Sequence, residues 1–205
     1  MKKANKVRSA FNEVKEDWFK DLPLVDLRGL DENEKHEAIL STIRNCIEKV
    51  PLEITEENEE EFESRHNFMS THQDGNESAI IITTYYPETS FAGVNIFYGM
   101  VPISRSHDVY EMINLLNLRS SIGRFCVYSD TGTIVLKAAT IITQYFNVQE
   151  LFLLIRHMLA SGYKNIPLIK ELLSTDQAPL SILEKHADTM REFMKVNPDL
   201  FENQK

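Results

Sequence analysis

Residues 79–86, Ala79-Ile80-Ile81-Ile82-Thr83-Thr84-Tyr85-Tyr86, decide the fold. The run is nearly continuous in β-branched and aromatic side chains and carries no charge, which suits a central strand with both faces at least partly covered. On either side, Phe62 to Thr71 and Ala92 to Met100 have a similar make-up. Turn chemistry at Asp74-Gly75-Asn76 and at Pro87-Glu88-Thr89-Ser90 separates the three runs. A meander of three strands is expected, its middle strand reaching from Ser78 to Tyr86.

Beyond Met100 the apolar residues switch to a helical period. Val109, Met112, Ile113 and Leu116 make the buried stripe of a helix from His107 to about Arg119, with Ser106 as its cap and Asp108 and Glu111 at its positive end. Next comes a hairpin, Arg124 to Ser129 and Thr133 to Ile141, joined through Asp130-Thr131-Gly132, where Gly132 takes the positive φ of a three-residue loop. Asn147 followed by Glu150 starts a further helix with Val148, Leu151, Phe152, Ile155 and Leu159 inward, and Gly162 is placed to close it. A short helix is expected over Pro167 to Ser174. Pro179 opens the last one, with Leu180, Leu183, Ala187, Met190 and Met194 on one side until Asn197-Pro198.

Upstream of the meander, Ile39, Ile43, Cys46, Ile47 and Val50 mark a helix from about Asn33 to Lys49, stopped by Pro51. The acidic stretch after Pro51 reads as a loop or the exposed lead-in to a strand. Val7, Phe11, Val14 and Trp18 fall at spacings of four, three and four, so they share one face of an N-terminal helix that Pro23 helps to end. That face is a candidate contact for a partner.

Helix, three strands, helix, two strands and helix make an α+β fold: an antiparallel sheet of about five strands packed with helices. Within it, Val101-Pro102 closes a strand, a helix carries Ile113-Asn114-Leu115-Leu116-Asn117, and Gly123-Arg124-Phe125 opens the next strand. The Asp130-x-Gly132 turn then leads to Ile134-Val135-Leu136. These motifs, from Val101 to about Leu173, resemble the YbjN-like proteins, labelled bacterial sensory transduction regulators, whose fold is similar to that of type III secretion chaperones. They cover about a third of the chain, and the topology extends the resemblance to about two thirds of it. On this reading residues 1–30 are an N-terminal helical extension, 31–175 the YbjN-like domain, and 176–205 a C-terminal helix on the same domain. The resemblance implies a non-enzymatic role in regulation or chaperoning, with Pro102, Asn114, Asn117, Gly123, Phe125, Asp130 and Gly132 as motif positions of structural kind.

Charge narrows the partners. With 22 lysines and arginines against 31 aspartates and glutamates, the formal charge is −9, which disfavours a nucleic-acid backbone. The basic start (Lys2, Lys3, Lys6, Arg8) and the acidic cluster (Glu53, Glu56, Glu57, Glu59, Glu60, Glu61, Glu63) read as solvated surface. No segment approaches the roughly 20 apolar residues that span a bilayer, and the N-terminus lacks the apolar stretch of a secretory signal. A cytoplasmic protein is expected, with Cys46 and Cys126 as buried reduced thiols.

No chemical constellation stands out. The seven glycines are isolated, so no phosphate loop and no cofactor is expected. Among His36, His66, His72, His107, His157 and His186 no two have the spacing of a helical metal pair. His66 and His72 would share a strand face with Asp74 beyond, but lie about 20 Å apart in an extended chain, too far to share an ion, so they read as exposed polar positions. Nothing in the sequence brings Cys126 to His157 as a nucleophile pair. Asn114 and Asn117, three apart on one helix, are placed to bond adjoining backbone, and Tyr85, Tyr86, Phe97 and Tyr98 read as sheet packing before an aromatic binding surface. The expected function is therefore a non-enzymatic module for a protein partner or a second copy of itself. The alternative is a small-molecule sensor or enzyme whose site assembles only on folding, which requires a deep pocket.

Overall fold

A computed structural model describes residues 24–50, 52–60, 65–74 and 77–187. Val7, Phe11, Val14 and Trp18 lie outside these residues, as do Met190 and Met194. In chain order the elements are β1 (Leu24–Asp26), α1 (Glu32–Lys49), β2 (Glu53–Glu60), β3 (Arg65–Asp74), β4 (Glu77–Tyr86), β5 (Phe91–Met100), α2 (Ser106–Arg119), β6 (Arg124–Val127), β7 (Thr133–Ile141), β8 (Tyr145–Asn147), α3 (Val148–Ser174) and α4 (Pro179–Lys185). Single 3-10 turns stand at Pro87–Thr89 and Ile103–Arg105.

The fold is α+β, with one difference in strand count. The antiparallel sheet has six strands, ordered β2-β3-β4-β5-β7-β6, and β1 pairs with β8 in a separate two-stranded ribbon. The sixth strand is the acidic stretch after Pro51, which forms the edge strand β2. Glutamate is a poor strand former, and cross-strand pairing overrides that preference. Thr55 Oγ1 donates to the Met69 carbonyl at 3.2 Å, and a polar ladder runs across three strands, Asn67 Nδ2 to Asn58 Oδ1 at 3.3 Å and Thr84 Oγ1 to Asn67 Oδ1 at 2.9 Å.

The chain clusters into two compact units, one running to Ile96 and including Ala138–Arg156, the other comprising Phe97–Lys137 and the chain from His157. β5, β7 and α3 each contribute residues to both. In the first unit, α1 starts with a reciprocal capping box: Glu34 N–H donates to Asp31 Oδ1 at 2.9 Å and Asp31 N–H to Glu34 Oε2 at 3.0 Å. The helix buries Ile39, Leu40, Ile43, Cys46 and Ile47, and the core of this unit also holds Phe68, Ile81, Val94, Phe146, Leu151 and Phe152. The β1–β8 ribbon is continued by Leu27 N–H to the Gln144 carbonyl at 2.9 Å, and Ile142 N–H donates to the Ser90 carbonyl at 2.7 Å.

In the second unit, α2 buries the expected stripe of Val109, Met112, Ile113 and Leu116. Ser106 does not cap it. The cap position is Arg105, and the Ser106 hydroxyl turns back to donate to the Ile103 carbonyl at 2.8 Å. The β6–β7 hairpin closes with Gly132 at φ +68°, its N–H donating to the Tyr128 carbonyl at 2.7 Å.

The expected stop at Gly162 is also overturned, because α3 continues through it and through Pro167 as one helix of 27 residues. A mid-helix glycine costs about 1 kcal/mol and proline about 3 kcal/mol. Burial of Met158, Leu159, Ile166, Leu168, Ile169 and Leu172 along this part of α3 outweighs both. The Gly162 carbonyl also accepts the Tyr98 hydroxyl at 3.2 Å. Pro179 opens α4 at its first turn, and Glu171 of α3 receives Lys185 Nζ at 2.6 Å and His186 Nε2 at 2.7 Å.

Candidate functional site

The first unit contains an open cleft of about 1120 Å³ assembled from five stretches of chain: the β1–α1 turn with the first two turns of α1, the edge strand β2, the end of β4, the turn before β5, and the β7–β8 connection. Its floor is apolar, formed by Leu27, Ile39 and Ile142, all buried, together with the side of Tyr85. Tyr85 is 5% exposed, and its hydroxyl makes no hydrogen bond to any described residue. Burial, with the Glu32 carboxylate second, pushes that phenol above the ordinary tyrosine range.

Most of the charge around the cleft is already paired. Arg28 gives Nε and Nη2 to Asp26 at 2.9 and 2.7 Å, and its guanidinium lies 4.5 Å from the centre of the Tyr145 ring. The Arg28 hydrogen bonds hold the Asp26 carboxyl down at about 2. Lys35 Nζ donates to Glu32 Oε1 at 2.7 Å. Glu59 and Glu88, both exposed, have no ion-pair partner among the described residues.

A row of rings runs behind the cleft. The His36 ring is 5.6 Å from Tyr85 and 6.3 Å from His66, which is 5.0 Å from Phe68. His66 differs from its expected exposed position: its side chain is only 12% exposed, because Nε2 bonds Glu57 Oε1 at 2.8 Å and the ring fits between its neighbours. A carboxylate only accepts, so Nε2 carries the proton. Arg44 completes the group, with Nη2 on Glu57 Oε1 at 2.6 Å and Nε on Oε2 at 3.2 Å. The Arg44 bonds come first in drawing the Glu57 carboxyl below the usual range.

The motif positions read from the sequence gather in the second unit and support its frame. Asn117 bonds Phe125 through both ends of its amide. Phe125 is buried, its ring 5.7 Å from Tyr98. Gly123 sits at φ +77°, where a Cβ would come within 2.8 Å of Met158 Sδ. Pro102 starts the 3-10 turn and its carbonyl accepts Arg105 N–H at 2.9 Å, while the preceding Val101 N–H donates to the Gly132 carbonyl at 2.8 Å. Asp130 Oδ1 accepts Thr131 N–H at 2.9 Å. Asn114 does not act like Asn117: it is exposed, with no hydrogen bond among the described residues.

One cluster in this unit has metal-ligand chemistry. Ligand atoms of His107, Asp108 and Glu111, in the first turns of α2, lie within 4.8 Å of one another. Asp108 is already held by Arg105 Nε at 2.7 Å, so an ion would have to compete with a guanidinium that is itself anchored on the Gln177 carbonyl at 2.9 Å.

The cleft residues were not legible in the sequence. His36, Glu59, Tyr85 and Glu88 belong to separate elements, and no local spacing joins them; the aromatic run around Tyr85 was the one signal. No family model, curated protein or solved structure matches this chain.

Proposed function

We propose that this chain is a non-enzymatic protein-binding module of regulatory or chaperone-like kind, working in the cytoplasm, as its YbjN-like motifs imply. The observation that carries this reading is the outer face of α2. Tyr110, Asn114 and Leu118 recur every four residues opposite the buried stripe, with Tyr110 54% and Leu118 84% exposed, and Ile103 in the preceding turn is 94% exposed. Single exposed apolar residues are ordinary; here Tyr110 and Leu118 share one outer helix face with the polar Asn114 between them, a mixed surface of the kind a groove- or helix-binding partner covers. The partner is another protein or a second copy of this chain. A net charge of −9 argues against nucleic acid.

Ile103→Ser combined with Leu118→Ser tests the reading, since both side chains stand in solvent and the fold does not depend on them. The unaltered chain should recover one partner in fixed ratio, or scatter light as a dimer, and the double variant should lose that species with its thermal midpoint unchanged. Identical recovery and identical mass for both chains would sink the proposal. The cleft favours a second reading, small-ligand binding, on its own evidence.

A further inference from the structure

We propose that the cleft of the first unit is a binding site for an alkylammonium or alkylguanidinium group. Four independent features of the cleft converge on this chemistry, and none of them depends on the outer face of α2.

The first is an unmet polar group. Tyr85 is 5% exposed, lines the cleft, and its hydroxyl has no hydrogen-bond partner among the described residues. The hydroxyl oxygen faces the cleft without a protein partner among the described residues and is free to accept a hydrogen bond from a bound N–H group. The second is the sign of the free charge. Glu59, from the edge strand, and Glu88, from the turn before β5, reach the cleft without an ion-pair partner among the described residues, whereas its two cations are engaged: Arg28 by Asp26 and Lys35 by Glu32, each at 2.7 Å.

The third feature removes the obvious anion site. The N-terminus of α1 opens beside the cleft, and such ends attract anions. Here the capping box closes it, and Glu32 and Glu34 already occupy its first turn. An anion entering the cleft would meet engaged cations and free carboxylates. The fourth is the wall. Tyr85 and His36, their rings 5.6 Å apart, line the cleft, and Leu27, Ile39 and Ile142 form an apolar floor suited to an alkyl stem.

The cation is either a free small amine or guanidine, or the side chain of a lysine or arginine presented by another protein; the chemistry recognised is the same. Calorimetric titration of the full chain with n-butylguanidinium, n-butylammonium and butyrate tests it. Both cations should bind and butyrate should not. Glu59→Gln and Glu88→Gln should each weaken cation binding by about threefold, the discount being for their solvent exposure. Tyr85→Phe should weaken it by about fivefold through loss of the hydroxyl.

Because Glu59 and Glu88 are exposed, their variants keep the fold, which circular dichroism checks independently. An acetylated, amidated pentapeptide with one lysine among alanines separates the two sources: tighter binding than n-butylammonium assigns the site to a partner's side chain, and equal or weaker binding assigns it to a free amine. Butyrate binding as tightly as the cations, cations failing to bind, or undiminished cation affinity in the Glu59→Gln, Glu88→Gln double variant would each overturn the proposal and leave the α2 reading untouched.

Discussion

Asn117 of α2 clasps Phe125 of β6 through both ends of one amide: Nδ2 donates to the Phe125 carbonyl at 2.9 Å, and Phe125 N–H donates to Oδ1 at 2.7 Å. β6 is an edge strand of only four residues, so this clasp fixes where it starts against the helix. Asn117→Ala strands a donor and an acceptor that are partly buried and should cost about 2 kcal/mol. Asn114→Ala, on the exposed face, should stay within about 0.5 kcal/mol of the unaltered chain. Urea midpoints of the two variants make the comparison.

Gly123 and Gly132 both have positive φ, at +77° and +68°, but only one is enclosed. A Cβ on Gly123 would meet Met158 Sδ at 2.8 Å, Leu136 Cδ1 at 3.1 Å and the Lys137 carbonyl at 3.3 Å, whereas one on Gly132 meets nothing within 4 Å. Gly132→Ala should therefore cost about 1 kcal/mol, the backbone term alone. Gly123→Ala adds overpacking and should cost about 3 kcal/mol. Equal thermal shifts for the two would contradict the enclosure.

Glu57 makes the stability of the first unit pH-dependent. Its carboxyl lies below the ordinary value, chiefly through the hydrogen bonds from Arg44, with His66 contributing less. A depressed carboxyl stabilises the fold above the unfolded pKa, and that stabilisation is lost as pH falls through the folded one. Glu57→Gln should lower stability near neutrality by about 1 kcal/mol, a figure held down by solvent screening at Arg44. The difference between variant and parent should close in acid. Denaturation curves taken from pH 7 down to pH 3 follow the convergence, and a constant offset would refute it.

Cys46 is 1% exposed, and burial pushes its thiol up to about 12. Cys126, expected to be buried as well, is only half-covered, at the second position after Arg124 on the edge strand. Alkylation of the native chain near pH 8 should label Cys126 alone, as peptide mass spectrometry would show, and Cys46 should react only under denaturing conditions. Rapid labelling of Cys46 in the native chain would contradict its burial.

Elements that local chemistry specifies could be read from the residues alone. The uncharged run 79–86, the Asp130-Thr131-Gly132 loop, the stripe from Val109 to Leu116 and the proline opening α4 each carry their own turn, cap or period, and each stands where that signal places it. Tertiary structure decided what local preference opposes. A Glu-rich segment became β2 because β3 offered it a register and a polar ladder, and α3 passed Gly162 and Pro167 because its apolar side was worth more buried than interrupted. The cleft depended on folding most of all. Tyr85, His36, Glu59 and Glu88 share no period and no motif, so their union is a property of how distant strands, turns and a helix end are brought together, which no stretch of chain encodes alone.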